Sequence, residues 1–175
     1  AAVILAGGQN RRMGGADKAF LTVDGQTVFE RTLELLRTCF PQVVVVSNRP
    51  QKYASFDVQV TSDEFVGQGP LAGIHAALGV VRHPHAFVVA CDMPFLNPAL
   101  LKHIADRLDT HDALVPEVGG REHPLHGAYS KRCLPAVEAL LARSGSMRDL
   151  LDAVGTSVMP EHEVRAIDPE ALSCF

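Results

Sequence analysis

Short blocks of consecutive apolar residues alternate along this chain with longer segments in which apolar residues recur every three or four positions. Short apolar blocks bounded by glycine, proline or small polar residues predict buried strands, and the longer period predicts amphipathic helices. The predicted strands are 1–5, 43–46, 58–61, 85–90, 113–116 and 125–129, with shorter candidates at 19–23, 156–159 and 164–167. The predicted helices are 27–38, 70–81, 97–108, 134–142 and 146–154.

Residues typical of helix starts support these boundaries. Thr27 with Glu30, and Ser146 with Asp149, have the three-residue spacing of a capping box. Asn97 precedes Pro98 at the start of another predicted helix, which combines a preferred cap with a proline suited to the first turn. The predicted helices therefore have defined beginnings.

Strands that alternate with helices predict one α/β domain, spanning residues 1–175, with a mainly parallel sheet. In such a domain ligands bind beyond the carboxyl ends of the strands. Gly7 and Gly8, Asn48, Asp63 and Asp92 each follow a predicted strand closely. We expect them to lie at one edge of the sheet.

Composition narrows the classes of function. The chain has 175 residues, 47% of them hydrophobic, which suits a single domain with a sizeable core. A formal net charge of −4 disfavours a nucleic acid partner, and no apolar run approaches the roughly 18 residues of a membrane span. The four cysteines have no C-x-x-C spacing, which favours reduced thiols. We expect a cytoplasmic protein whose sequence here is truncated at both ends.

The first predicted strand leads into a loop rich in glycine and in cationic residues. The glycines are Gly7, Gly8, Gly14 and Gly15, and the cations are Arg11, Arg12 and Lys18. Glycine lets backbone N–H groups approach phosphates closely, and the cations neutralise their charge. The loop matches neither the Walker A pattern nor G-x-G-x-x-G. The alternatives are glycines that serve only tight packing and arginines that are simply solvated.

Asp92 follows the apolar block 85–90, so its carboxylate emerges at the expected ligand edge. A carboxylate beside a polyphosphate is a ligand that suits Mg²⁺, although Asp92 could instead cap the turn before Pro94. Asp63 is a weaker candidate of the same kind. It too has the alternative of an ordinary loop carboxylate.

Two further segments carry candidate chemistry. Gly69 to Gly73 opens a predicted helix whose amides could hold an anion, or whose small residues could admit a flat base. His123 follows a glycine turn and is predicted either to contact substrate or to pack locally. The histidine pairs interrupted by Pro84 and Pro124 do not have the spacing of a helical zinc site.

Several motifs together resemble one enzyme family, the molybdenum cofactor guanylyltransferases of the nucleotidyltransferase superfamily. The motifs are Leu5-Ala6-Gly7-Gly8-x-x-x-Arg12-Met13-Gly14-x-x-Asp17-Lys18, Gly69-Pro70-Leu71-Ala72-Gly73, Cys91-Asp92-Met93-Pro94 and Arg121-Glu122-His123-Pro124. The resemblance implies a three-layer, Rossmann-like domain that transfers GMP from GTP to molybdopterin-bound molybdenum and releases pyrophosphate. It also implies transient contact with molybdoenzymes or cofactor-insertion proteins.

The resemblance assigns roles to individual residues of this chain. The implied nucleotide-binding residues are Leu5, Ala6, Gly7, Gly8, Lys18, Asp63, Gly73 and Asp92. Lys18, Arg12 and Asp92 are the implied catalytic residues, with Asp92 holding Mg²⁺. Asn48 and His123 are weaker candidates for substrate contacts. The family can carry a nucleotide-contacting asparagine where this chain has Val46, two residues before Asn48.

Other functions remain open at this point. Cytidylyltransferase relatives typically have Leu-Ala-Ala-Gly in the first motif, so Gly7 favours guanine. The family also continues into an Asn-x-Asn-Thr-Pro segment near the active site, which is not part of this sequence. The alternatives are a molybdopterin cytidylyltransferase, a sugar-phosphate nucleotidyltransferase, a non-catalytic nucleotide-binding module and a flavodoxin-like or dinucleotide-binding oxidoreductase.

Overall fold

A computed structural model describes residues 1–7, 18–23, 25–108 and 110–175, with Lys18 and Val23 described by their backbone alone. The strands are β1 (Ala2–Leu5), β2 (Thr22–Val23), β3 (Gln26–Thr27), β4 (Val43–Val46), β5 (Gln59–Thr61), β6 (His85–Ala90), β7 (Ala113–Val118), β8 (Arg121–Glu122), β9 (His126–Ser130) and β10 (Thr156–Met159). The α-helices are α1 (Val28–Cys39), α2 (Gly69–Val80), α3 (Pro98–Asp106), α4 (Leu134–Leu141), α5 (Met147–Ala153) and α6 (Glu161–Ile167).

One sheet organises the described part of the chain, with the strand order β10-β7-β9-β6-β1-β4-β5. β1 runs parallel to both β4 and β6, and β5 continues the parallel arrangement beside β4. β9 runs antiparallel to β6 and β7, while β10 is parallel to β7. The prediction of an α/β domain with a mainly parallel sheet is confirmed.

Two hydrophobic cores lie on opposite faces of this sheet, because successive side chains of a strand point to opposite sides. In β1, Ala2 and Ile4 belong to the core formed with α1, α3 and α6. Val3 and Leu5 belong to the core formed with α2, α4 and α5. Burial on both faces explains why β1 and β4 consist of consecutive apolar residues. The fold therefore has three layers.

The helix starts follow the capping patterns read from the sequence. The Thr27 hydroxyl accepts a bond of 3.1 Å from the Glu30 N–H, and the Glu30 carboxylate accepts one of 2.8 Å from the Thr27 N–H. Ser146 and Asp149 form the same reciprocal pair at the start of α5. The bonds from Thr27 hold the pKa of Glu30 below its ordinary value. Both predicted capping boxes are confirmed.

The prediction of a strand at 164–167 is wrong, because these residues lie in α6. The alternation in Val164-Arg165-Ala166-Ile167 fits a strand, yet the preceding residues favour a helix. Pro160 stands at the helix start, and Glu161 and Glu163 place acidic side chains in its first turn. Glu161 also pairs with Arg165 one turn later, with 2.7 Å between Oε1 and Nε.

The strand candidate at 19–23 is only partly correct. Lys18–Phe20 forms a 3-10 turn, and only Thr22–Val23 is a strand, paired with β3 in a small hairpin.

None of the described helices has the length and apolar character needed to cross a membrane. The four cysteines form no disulfide with one another, and burial raises the pKa of Cys133 and of Cys174 to about 12.

Candidate active site

The register of the parallel strands aligns their carboxyl ends. Leu5 at the end of β1 lies beside Val46 of β4 and beside Ala90 of β6, and Val46 lies beside Thr61 of β5. Backbone bonds continue this alignment by one residue, since Ala6 N–H donates to the Val46 carbonyl at 2.9 Å. The segments that follow these strands therefore leave the sheet at one edge, which we call the carboxyl edge.

Asp63 and Asn48 come together at the carboxyl edge from β5 and β4. The Asn48 Nδ2 donates to Asp63 Oδ2 at 3.0 Å, and the Asp63 backbone N–H donates to Asn48 Oδ1 at 3.1 Å. The other carboxylate oxygen, Asp63 Oδ1, is buried and has no hydrogen-bond partner in the described structure. Half-buried Asp63 is thus held from one side by an exposed Asn48.

Asp92 follows β6 at the same edge. Its neighbour Cys91 donates its N–H to the Leu5 carbonyl at 3.2 Å, and Met93 and Leu96 anchor the loop by burial. The Asp92 side chain itself is exposed, and none of the described residues forms an ion pair with it. A carboxylate with this exposure at the ligand edge is available to a cation or a ligand.

Leu5, Ala6 and Gly7 lead from β1 into the glycine loop. A Cβ added to Gly7 would meet no described atom within 4 Å, so packing among these residues does not require glycine there. Gly73 in α2 differs, because a Cβ at this position would lie 2.9 Å from Leu5 Cδ2. Packing against Leu5 therefore explains Gly73, and its contact with nucleotide stays a prediction.

The structure describes only part of the remaining residues of the predicted phosphate loop. Gly8 and Arg12 lie outside the described residues, as does the side chain of Lys18. The Lys18 backbone begins a 3-10 turn whose next residue, Ala19, is fully buried. Phe20 packs against Phe29 at 5.9 Å between ring centroids, which fixes the end of this turn on the core.

His123 lies at the carboxyl edge beyond β6, three residues before the start of β9. Its backbone N–H donates to the Pro116 carbonyl at 2.9 Å, and its ring contacts Phe175 with 4.9 Å between centroids. Its Nε2 is buried without a partner in the described structure. The local packing alternative is therefore real, while contact with substrate stays a prediction.

A buried polar cluster beside His123 was not predicted from the sequence. His126 is fully buried with its ring edge-on to Phe87, and its Nε2 lies 3.3 Å from the Ser173 hydroxyl oxygen. Ser173 also accepts a bond of 2.9 Å from the Asn97 N–H and donates its own N–H to Asp168 at 3.0 Å. Ser173 thus joins the Asp92 loop, the start of β9 and the 168–175 segment.

Burial is the main reason that the pKa of His126 falls to about 3, with a smaller contribution from His123. The ring is therefore neutral at ordinary pH. Asn97 already donates to Ser173 Oγ, so the Ser173 hydroxyl hydrogen is free to be donated to His126 Nε2. Because Ser173 Oγ can also accept a second bond, either tautomer of the neutral ring fits this contact, and His126 Nδ1 is buried without a partner in the described structure. A histidine directly before the Gly-Ala-Tyr block of a buried strand was the available signal for this burial.

No group of three or more His, Cys, Asp or Glu side chains in the described ranges has the arrangement of a metal centre. A cavity of about 240 Å³ lies at the opposite ends of the strands, with Cys39, His85 and Lys102 in its lining. It is remote from the strand ends at which ligands of α/β sheets collect. The carboxyl edge is therefore the candidate active site.

Comparison with known proteins agrees with this geometry. The model of the MobA-like NTP transferase domain matches residues 2–159. A molybdenum cofactor guanylyltransferase from Desulfosudis oleivorans is 36% identical over 173 residues, covering 98% of this chain and 86% of that protein. A relative from Pelotomaculum thermopropionicum, described as a probable molybdenum cofactor guanylyltransferase, is 36% identical over 174 residues, covering 99% of this chain and 84% of that protein.

Solved structures share the fold. Molybdopterin-guanine dinucleotide biosynthesis protein A from Archaeoglobus fulgidus superposes with a TM-score of 0.83 at 26% identity, covering 98% of this chain and 89% of that one. A 2-C-methyl-D-erythritol 4-phosphate cytidylyltransferase from Thermus thermophilus has a TM-score of 0.64 at 16% identity, with 97% of each chain covered. The second likeness concerns the fold alone. On the family match and these identities, the chain belongs to the MobA-like NTP transferase family of nucleotidyltransferases.

Proposed function

We propose that this protein transfers GMP from GTP to the molybdenum cofactor and releases pyrophosphate. The observation that carries the proposal is the position of Gly7, Asp63 and Asp92 at one sheet edge, in a chain 36% identical to a guanylyltransferase. This edge supplies a backbone without side-chain obstruction beside two carboxylates. Those are the elements that a nucleotide and its metal require.

The reaction needs the positioning of anions more than it needs proton transfer. A phosphate oxygen of the pterin forms a bond to the α-phosphorus of GTP, and the bond between the α-phosphorus and the bridging oxygen breaks. Pyrophosphate leaves with that electron pair. Because the attacking phosphate is already ionised at neutral pH, no general base is required, and charge neutralisation with alignment supplies the rate enhancement.

The first motif supports the triphosphate in this proposal. Leu5, Ala6, Gly7 and Gly8 lie against the nucleotide, and Lys18 and Arg12 neutralise the phosphates and the leaving pyrophosphate. The described backbone supports this arrangement, because Ala6 is bonded to β4 and Ala19 is anchored in the core. Gly73 brings α2 close to Leu5 and so helps to shape the wall behind the nucleotide.

Asp92 is the residue proposed to hold Mg²⁺. Its exposed carboxylate at the carboxyl edge suits a hard cation that takes one or two protein oxygens and completes its shell with phosphates and water. Bound there, the ion would supply Lewis-acid charge stabilisation to phosphate oxygens. Asp92 follows directly after Cys91, whose N–H is bonded to the Leu5 carbonyl at the end of β1.

Asp63 and His123 are proposed to contact different substrates. A carboxylate repels phosphate, so Asp63 is suited to donor groups on the base or ribose of GTP. Asn48 stands beside it, bonded to Asp63. His123 lies across the edge, beyond β6, and is proposed to contact the pterin acceptor.

The choice of nucleotide is tested by initial rates. Pyrophosphate release is measured with GTP, CTP, ATP and UTP at equal concentrations, with molybdenum cofactor and Mg²⁺, and the product is identified by mass. The proposal predicts the guanine dinucleotide product and a clear GTP preference. A preference for CTP would assign a cytidylyltransferase, and pyrophosphate release that needs a sugar phosphate would reject the pterin acceptor.

The proposal extends to the cellular setting. A cytoplasmic enzyme with access to GTP is proposed, with transient contact to molybdoenzymes or cofactor-insertion proteins that receive the product.

A further inference from the structure

The contact between Asn48 and Asp63 is more specific than a single hydrogen bond between loops. The amide nitrogen of Asn48 donates to the carboxylate at 3.0 Å, and the amide oxygen accepts the Asp63 backbone N–H at 3.1 Å. Both polar atoms of the Asn48 side chain are therefore engaged by one residue. The two bonds fix the Asp63 backbone and the rotation of its carboxylate together.

The two hydrogen bonds with Asn48 leave one carboxylate oxygen of Asp63 without a donor. Oδ2 takes the Asn48 bond, whereas Oδ1 is buried and unpartnered in the described structure. A buried acceptor without a donor is destabilising, so its retention at a ligand edge is explained if a ligand supplies the donor. A negative oxygen repels phosphate and accepts from N–H or O–H. Within a nucleotide, the base and the ribose carry such donors, whereas the ionised phosphates do not.

We propose that Asn48 is a positioning residue for the nucleotide, holding Asp63 so that Oδ1 accepts a hydrogen bond from the base or the ribose of GTP. This role rests on the proposed function. Asn48 acts through Asp63 and does not itself contact the reacting phosphates. It contributes to affinity by fixing the carboxylate before the nucleotide arrives, which reduces the ordering required on binding.

A double-mutant cycle separates this role from a general effect on the loops. GTP dissociation constants are measured calorimetrically with Mg²⁺ for the unchanged protein, Asn48→Ala, Asp63→Ala and the double variant. Asn48→Ala is expected to weaken GTP binding about tenfold, as for loss of a hydrogen bond that orients a charged group. In the Asp63→Ala background, Asn48→Ala should have no further effect, because its target is gone.

Ser62 provides a matched control. Its hydroxyl donates to the Ser47 carbonyl at 3.2 Å and so ties the same two loops together without contacting the Asp63 carboxylate. Ser62→Ala should change the GTP dissociation constant less than about twofold, in line with a neutral bond outside the binding contact. Melting temperatures of all variants are measured to show that each protein is folded.

Steady-state kinetics give a second readout. Asn48→Ala should raise the KM for GTP about tenfold and leave kcat within about threefold, because ground-state and transition-state binding lose the same contact. Analogues identify the donor. ITP lacks the exocyclic amine, 1-methyl-GTP lacks the N1 hydrogen, and 2′-deoxy-GTP and 3′-deoxy-GTP each lack one hydroxyl. The analogue that binds equally to the unchanged protein and to Asn48→Ala lacks the group that Asp63 accepts from.

Three outcomes overturn the role of Asn48. They are unchanged GTP affinity in Asn48→Ala, a full additional loss of affinity when it is combined with Asp63→Ala, and an equal loss in Ser62→Ala. The proposed function fails separately, if the unchanged protein does not bind GTP. Normal GTP binding by both the unchanged protein and Asn48→Ala would contradict the role of Asn48 alone.

Discussion

The polar groups on the two sides of the carboxyl edge differ in what they are bonded to. On the side of β4 and β5, Asn48 and Asp63 are partly accessible and leave Asp63 Oδ1 without a donor. Beyond β6, His126 and Ser173 are fully buried and bonded to one another, and Ser173 is also bonded to Asn97, while His126 Nδ1 has no partner in the described structure. We call the first group the nucleotide side and the second the buried cluster.

The difference distinguishes residues available for ligand binding from residues that hold the fold together. Groups on the nucleotide side are placed by strand register and remain able to bond a ligand, so changes there should alter affinity or turnover more than stability. The buried cluster connects three segments by bonds that water cannot replace, so changes there should alter stability first.

The largest effect is expected from Asp92→Asn. Loss of the carboxylate charge weakens the proposed Mg²⁺ contact, and kcat/KM should fall about a thousandfold, equivalent to roughly 4 kcal/mol of transition-state stabilisation. Because Asp92 is exposed, the melting temperature should not change. Steady-state assays and thermal unfolding measure both quantities. Turnover within tenfold of the unchanged protein would remove Asp92 from the metal site.

Gly73→Val tests packing within the active site itself. The added side chain would collide with Leu5, since even a Cβ would lie 2.9 Å from Leu5 Cδ2. Overpacking of this kind should lower the free energy of unfolding by about 3 kcal/mol, measured by urea denaturation. Gly7→Ala is the matched control, because no described atom lies within 4 Å of its new Cβ. It should unfold like the unchanged protein, and equal losses in both variants would contradict this distinction.

His126 predicts a specific dependence of stability on pH. Its pKa is lowered to about 3 in the folded protein from 6.5, so between these values the unfolded chain binds the additional proton. Stability is then lost as the pH falls below 6.5. Between pH 7 and pH 5 this loss amounts to about 2 kcal/mol.

The measurement is the free energy of unfolding at several pH values for the unchanged protein and for His126→Gln. The variant should lack this part of the pH dependence, although it is less stable at pH 7 through lost packing. Identical slopes in the two proteins would show that His126 is not held neutral by the fold.

The smallest effect is expected from Ser173→Ala. It removes the bond accepted from Asn97 and the contact with His126, and should lower the free energy of unfolding by about 1 kcal/mol or slightly more. Calorimetric GTP affinity should remain unchanged, since Ser173 belongs to the buried cluster. A selective loss of GTP affinity, with stability retained, would place this cluster on the nucleotide side.

The sequence was sufficient to predict secondary structure where neighbouring residues alone determine it. Four consecutive valines predicted β4, and the spacing of Thr27 and Glu30 predicted the start of α1. Local alternation was misleading at 164–167, because these residues lie in α6 with Val164 buried in the core. Helices and strands with one clear spacing of apolar residues could be predicted. Short segments whose apolar residues fit both the helical and the strand spacing could not.

The side-chain contacts of the candidate site join residues that are far apart in the sequence, and a local sequence pattern does not predict such pairs. Asp63 could be predicted at the carboxyl edge because it follows a strand, but its bond to Asn48 depends on the register between β4 and β5. His126 and Ser173 are 47 residues apart, and their contact follows from the position of the 168–175 segment. Candidate residues were therefore accessible from the sequence, whereas their partners required the fold.

The location of the nucleotide is tested most directly by hydrogen exchange in the presence and absence of GTP with Mg²⁺. Slower exchange is predicted in peptides that contain the ends of β1, β4 and β5 with the segments that follow them, including residues 6–7, 47–48 and 62–63. Exchange around Cys39 and His85, at the opposite ends of the strands, should not change. Protection confined to that opposite end, with none at the carboxyl edge, would contradict the account.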